Sequence, residues 1–133
     1  MGERRDEQTF GRMREAERLR RLLRRELRHM PQHLLAPLIG ISRSSLRKFL
    51  ALSEPTRETR RRLREWAMDR PEPDTPLGAV GLAILAGEFP APRRLWARQR
   101  LLQALHDMHV ELDRQPPGWI VEEAMDTATE LPG

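Results

Sequence analysis

The side chains best suited to chemistry gather in one stretch, LLAPLIGISRSSLRKFL (Leu34 to Leu50). Ser42, Arg43, Ser44, Ser45, Arg47 and Lys48 put three hydroxyls and three cations within seven positions. Arg43 and Arg47 are four apart, so a helix carries them on one face. The stretch is either a bent piece of core or a surface built to read nucleic acid. Other reactive groups are sparse. His106 and His109 are three apart, with Asp107 and Asp113 nearby, but no paired-histidine motif with a glutamate base accompanies them. They read as surface or boundary histidines, as do His29 and His33 on either side of Pro31, whose alternative is a place beside bound nucleic acid. The chain has no cysteine, no phosphate-cradling glycine loop and no nucleophile elbow. An enzyme is not expected, nor a cofactor or a metal.

Charge indicates what kind of partner these cations would meet. Of 24 basic residues only Lys48 is lysine, and the formal net charge is +4. Residues 1–70 carry 19 Arg or Lys against 10 Asp or Glu, whereas residues 71–133 carry 5 against 10. The first half is therefore suited to a polyanion and the second to another task. At 133 residues the chain has the length of one domain, or of a small domain with an added module. No apolar segment approaches the roughly 18 to 20 residues a membrane span requires. The opening MGERRDEQTF has no apolar stretch behind its charges, so no secretory leader is expected. The absence of cysteine suits a reducing cytoplasm, and a soluble cytoplasmic protein is expected.

The elements that position these residues read as helices, because apolar residues recur near a 3.6 period and nowhere alternate. From Asp6 to Met30, one face takes Met13, Ala16, Leu19, Leu22, Leu23, Leu27 and Met30. Arg14, Arg18, Arg21, Arg25 and Arg28 form a separate stripe expected to be solvated, with Glu17 able to pair with Arg21. Pro31 ends this helix and starts the next. A helix from Gln32 to Ile39, a turn at Gly40 and a second helix capped by Ser42 would bury Leu35, Ala36, Ile39, Leu46 and Phe49, with Ile41 plugging the turn. Gly40 suits the left-handed conformation that such a turn needs, and Ser42 suits an N-cap. Arg43, Ser44, Arg47 and Lys48 are then left pointing outward together.

This arrangement resembles the helix-turn-helix motif, specifically the lambda-repressor/Cro-like (XRE-type) class. The match covers Gln32 to Leu50 directly, and Leu19 to Met68 with flanking helices. Its most characteristic run is GISRSSL, with a serine opening the second helix. Pro37 inside the first helix departs from the pattern, and the following loop ALSEPTRET lacks the glycine often found there. The resemblance implies that the helix from Ser42 to Leu50 enters the DNA major groove, amino-terminal end first. Arg43 and Arg47 would then address guanine bidentately, and Ser44 a base edge or a phosphate. Lys48 would meet a phosphate, and Gln32 would grip the backbone at the start of the preceding helix. Ser45 is assigned to packing against that helix.

Beyond the motif, Thr56 can cap a helix that turns Leu63, Trp66 and Ala67 inward and Arg57, Arg60, Arg61 and Arg64 outward. These arginines either widen the positive surface or are neutralised by Glu58 and Glu65 through pairs with Arg62 and Arg61. The prolines of DRPEPDTPLG mark a linker, residues 71–78, between a basic DNA-binding domain (1–70) and an acidic helical module (79–133). In that module PLGAVGLAILAGEFPAP reads as a buried apolar segment. A helix from Arg94 to Leu112 follows, with Leu95, Leu101, Leu102, Leu105, Met108 and Leu112 inward. After the stop at QPPGW, a last helix from Trp119 to Ala128 would use Ile120, Val121, Ala124 and Met125. The expectation is an all-α protein, a small helical bundle containing a helix-turn-helix followed by a short helical module. Its expected function is that of a transcriptional regulator binding double-stranded DNA on a bacterial or phage operator, as a homodimer through the acidic module. That module could instead complete the fold or dock another protein. The competing functions are an interaction adaptor with a purely structural helix-turn-helix, an antitoxin-like autorepressor, and a recombination accessory factor.

Overall fold

Proline and glycine set the joints of this chain. A computed structural model describes residues 2–71 and 74–130, with side chains over 7–71 and 74–124. Its described residues form seven α-helices and no strand: α1 (Gly2–Leu27), α2 (Gln32–Ile39), α3 (Arg43–Leu50), α4 (Arg57–Ala67), α5 (Leu77–Ala86), α6 (Arg94–Glu111) and α7 (Gly118–Glu130). The chain divides into two units, Met1–Thr75 and Pro76–Gly133. No helix among the described residues is long and apolar enough to cross a membrane.

In the first unit α2 packs on α1, α3 and α4, and α4 also packs on α1. Helices of eight residues are unstable alone, so α2 and α3 exist because of what they bury. Leu23, Leu35, Leu46 and Leu63 are fully inaccessible and meet Ile39, Phe49, Leu50 and Trp66 in one cluster. Each such leucine contributes about 1.5–3 kcal/mol, more than the ~1 kcal/mol of a single cap, so packing holds the short helices and caps only trim their ends. Ala16, Leu27, Met30, Ile41 and Ala67 seal the margin of this cluster.

The arginines of α1 depart from the expected solvated stripe. Arg14 and Arg28 are exposed, but Arg21 is buried, as are Arg20 and Arg24 beside it. Glu17, also buried, receives Arg20 at 3.4 Å and Arg24 at 3.5 Å. A carboxylate removed from water needs such partners. The periodic pattern identified the apolar face of α1 but not how far the core extends onto its charged flank.

In the second unit α6 packs against both α5 and α7. Small residues let α5 approach closely: Ala79, Ala83 and Ala86 are buried with Val80 and Leu82. Gly78 lies directly under the Trp119 ring, where an added β-carbon would collide. α5 opens at Leu77, two residues before the expected start of the second module. The buried side of α6 matches expectation at Leu102, with Leu101 and Leu105 packed against the same core, and departs from it elsewhere. Ala97, Arg98 and Leu102 face inward, whereas Met108 and Leu112 stand 50% and 67% exposed. Arg98 is buried because it pairs with Glu123 of α7, itself fully buried, while Val121 and Ala124 point outward. The expected contact at Met125 lies outside the described side chains.

Candidate nucleic-acid interface

Local chemistry builds the α2–α3 corner. Gly40 takes φ +89°, a left-handed conformation that costs other residues roughly 1–2 kcal/mol. Its N–H and that of Ile41 both donate to the Ala36 carbonyl, closing α2. Ser42 follows in extended geometry, its hydroxyl accepting the Ser45 amide at 3.0 Å and donating to the Ser45 hydroxyl at 2.9 Å. The hydroxyl of Ser42 is thus occupied by the cap, and half-buried Ser45 completes it. Pro37 is accommodated inside α2 with its ring exposed.

With the corner set, helical geometry distributes the remaining side chains. Leu46, Phe49 and Leu50 are buried, and Arg43, Ser44, Arg47 and Lys48 are all exposed. At about 100° per residue those four fall within an arc of roughly 140°. Ser42 is exposed at the amino-terminal edge of this arc, and Gln32 is half-buried at the start of α2. The only aromatic ring of α3, Phe49, faces the core, so the surface presents donors without a stacking platform.

What separates this face from its surroundings is charge compensation. On α4, Arg61 contacts Glu58 at 2.5 Å and Glu65 at 2.7 Å, and Arg62 contacts Glu58 at 3.0 Å. Arg64 reaches Glu15 of α1 at 2.6 Å, and Arg60 lies 3.6 Å from Glu54. Hydrogen bonds from Arg61 and Arg62 hold the Glu58 carboxyl at about 2, well below its ordinary 4.5. Of the two outcomes open for α4, neutralisation is the one adopted by Arg60, Arg61, Arg62 and Arg64. Arg43, Arg47, Lys48 and Arg57 instead form no ion pair with any described residue.

Two contributions were not legible in the sequence. Arg20 of α1 donates from Nε to the Phe49 carbonyl at 2.8 Å, and its guanidinium lies 4.7 Å from the Phe49 ring centre. The Phe49 carbonyl already accepts the Leu52 amide at 3.1 Å, so Arg20 adds a second donor there, and a cation at the carboxyl end of α3 suits the helix dipole. Arg62 lies over the turn, its side chain 3.3 Å from where a β-carbon on Gly40 would stand. Both contacts join residues distant in sequence, and no local signal announces them. The histidines do not converge: among the described residues no three His, Cys, Asp or Glu side chains are arranged to hold a metal ion. No protein-family model matches the chain, and neither a curated protein nor a solved structure shows detectable similarity to it.

Proposed function

We propose that this chain is a sequence-specific regulator of transcription that binds double-stranded DNA. In this reading α2 and α3 work as a helix-turn-helix of the lambda-repressor/Cro-like class, with α3 in the major groove. The observation that carries it is the uncompensated, one-sided display of Arg43, Ser44, Arg47 and Lys48 on a helix whose other side is locked into the core. A solvated charged face would be expected to find local carboxylates, as α4 does. The lack of an exposed ring on α3 favours a duplex over single strands, whose bases are gripped by stacking.

Arg43 and Arg47 read guanine through O6 and N7, and Ser44 contacts a base edge or a phosphate. Lys48 and Gln32 contact phosphates, with the exposed start of α3 at Ser42 turned toward the same backbone. Regulation follows from occupancy, since bound protein either obstructs or recruits polymerase. The protein acts in the cytoplasm as a homodimer on paired half-sites, through its second unit, and without catalysis or a cofactor.

Selection of bound sequences from a random duplex pool tests this directly, using the intact chain and the double variant Arg43→Ala, Arg47→Ala. The intact chain should enrich a two-fold motif. The double variant should lose preference at the positions the arginines read, each contact being worth roughly 1–3 kcal/mol, or about 5- to 150-fold between right and wrong base. An unchanged motif in the variant moves the reading surface elsewhere. No enrichment and no salt-sensitive binding to duplex would favour the adaptor.

A further inference from the structure

We propose that α6 bears a self-complementary face on which a second copy of this chain docks, with the two α6 helices antiparallel. The pairing rests on α6 alone and does not require α3 to read DNA.

Ala97, Arg98 and Leu102 commit one side of α6 to its own unit. A second apolar strip runs beside it through Leu101, Ala104, Leu105, Met108 and Leu112, at the three- and four-residue spacing of a helix seam. Leu101 and Leu105 are half-buried at its inner edge, where they also pack against the core around Leu82, Leu102 and Ile120, while Ala104, Met108 and Leu112 are exposed. Exposed apolar residues scattered singly need no explanation, but a strip of them along one helix marks a contact surface.

Charge identifies the occupant. The exposed flank of the strip carries Arg100 toward the amino-terminal end, with exposed Arg93 just before the helix, and Asp107 and Glu111 toward the carboxyl end. The Arg100 guanidinium lies 5.7 Å from the Trp96 ring centre, and neither Arg100 nor Glu111 forms an ion pair with any described residue. When two identical helices meet antiparallel, each flank faces its own counterpart in reverse order, so basic ends meet acidic ends. A parallel arrangement would instead set this flank against the partner's opposite flank, which Arg98 and Leu102 commit to its own unit, so the charges would find no counterpart. One register serves the apolar strip as well: Leu101 opposite Leu112 and Leu105 opposite Met108 share a single two-fold centre, which brings Arg100 beside Glu111 of the partner. A helix of 18 residues is roughly 27 Å long and offers an area at the low end for a stable pair, so micromolar affinity is expected.

Sedimentation equilibrium of the full chain without DNA tests the proposal, with circular dichroism verifying that each variant keeps its helix content. The unaltered chain should dimerise in the micromolar range. Arg100→Glu and Glu111→Arg should each raise the dimer Kd at least 10-fold, yet the two variants should pair with each other when mixed, as a merely structural defect would not permit. Orientation is read by disulfide trapping, made clean by the absence of native cysteine. Leu101→Cys with Leu112→Cys in one chain should crosslink two copies. Either single change should not, because like positions stand about 16 Å apart along the axis. A chain monomeric throughout, a dimer indifferent to both charge reversals, or crosslinking by the single variants would overturn the proposal.

Discussion

Glu58 governs how much of the positive charge on α4 reaches solvent. Three and four residues before Arg61 and Arg62, it holds both guanidiniums, and their hydrogen bonds draw its carboxyl from 4.5 to about 2. Because the folded value lies below the unfolded one, whatever stability the pairing adds is complete above pH 4.5. It fades as the pH falls toward 2. The carboxylate is solvent-exposed, so the effect on global stability is small. A carboxyl titration by NMR should show a midpoint near 2 for Glu58, returning toward 4.5 when Arg61 and Arg62 are both replaced by Ala; an ordinary midpoint in the unaltered chain would refute the clamp. The spacing that makes this pairing possible was readable from the sequence, as were the left-handed turn at Gly40 and the serine cap at Ser42. Each involves residues within one turn of one another.

At the scale of elements, the position of α3 depends on more than its own apolar residues. Arg20 links α1 to the carboxyl end of α3 through the Phe49 carbonyl and ring, and Glu17 holds the Arg20 guanidinium from the other side. Replacing Arg20 by Met keeps much of the volume but leaves a buried carboxylate with a partner fewer and removes the side-chain bond to the Phe49 carbonyl, which keeps only the Leu52 amide. The expected loss is roughly 3 kcal/mol of unfolding free energy, at the lower end for a broken buried pair because Arg24 remains near Glu17. Urea denaturation measures it, and amide exchange in α3 should accelerate more than in α4. A loss below about 1 kcal/mol would show that the anchor is dispensable. No helical-wheel reading could have found it, since periodicity assigns a residue to an angle and not to a neighbour. The same limitation explains α6, whose expected inward face is kept at Leu101, Leu102 and Leu105 but turns outward at Met108 and Leu112.

At the scale of the whole molecule, charge is divided along the chain, 19 basic to 10 acidic residues before position 71 and 5 to 10 after it. If α3 binds duplex DNA, its affinity should fall steeply with salt, by about 0.9 in the log–log slope for each phosphate neutralised. Lys48→Ala should flatten that slope by about 1 and weaken every duplex alike, whereas a change in sequence preference would make Lys48 a base reader. This electrical asymmetry, the helical class, the turns and the caps were settled by the sequence itself, because composition and short-range spacing are sufficient to specify them. Which arginines remain available was decided only by the tertiary structure. Arg20 meets Phe49 across 29 positions, Arg64 meets Glu15 across 49 and Arg98 meets Glu123 across 25. A guanidinium is neutralised, buried or left free according to which distant carboxylate or carbonyl the folded chain carries to within a few ångströms of it, and proximity of that kind has no counterpart in local spacing.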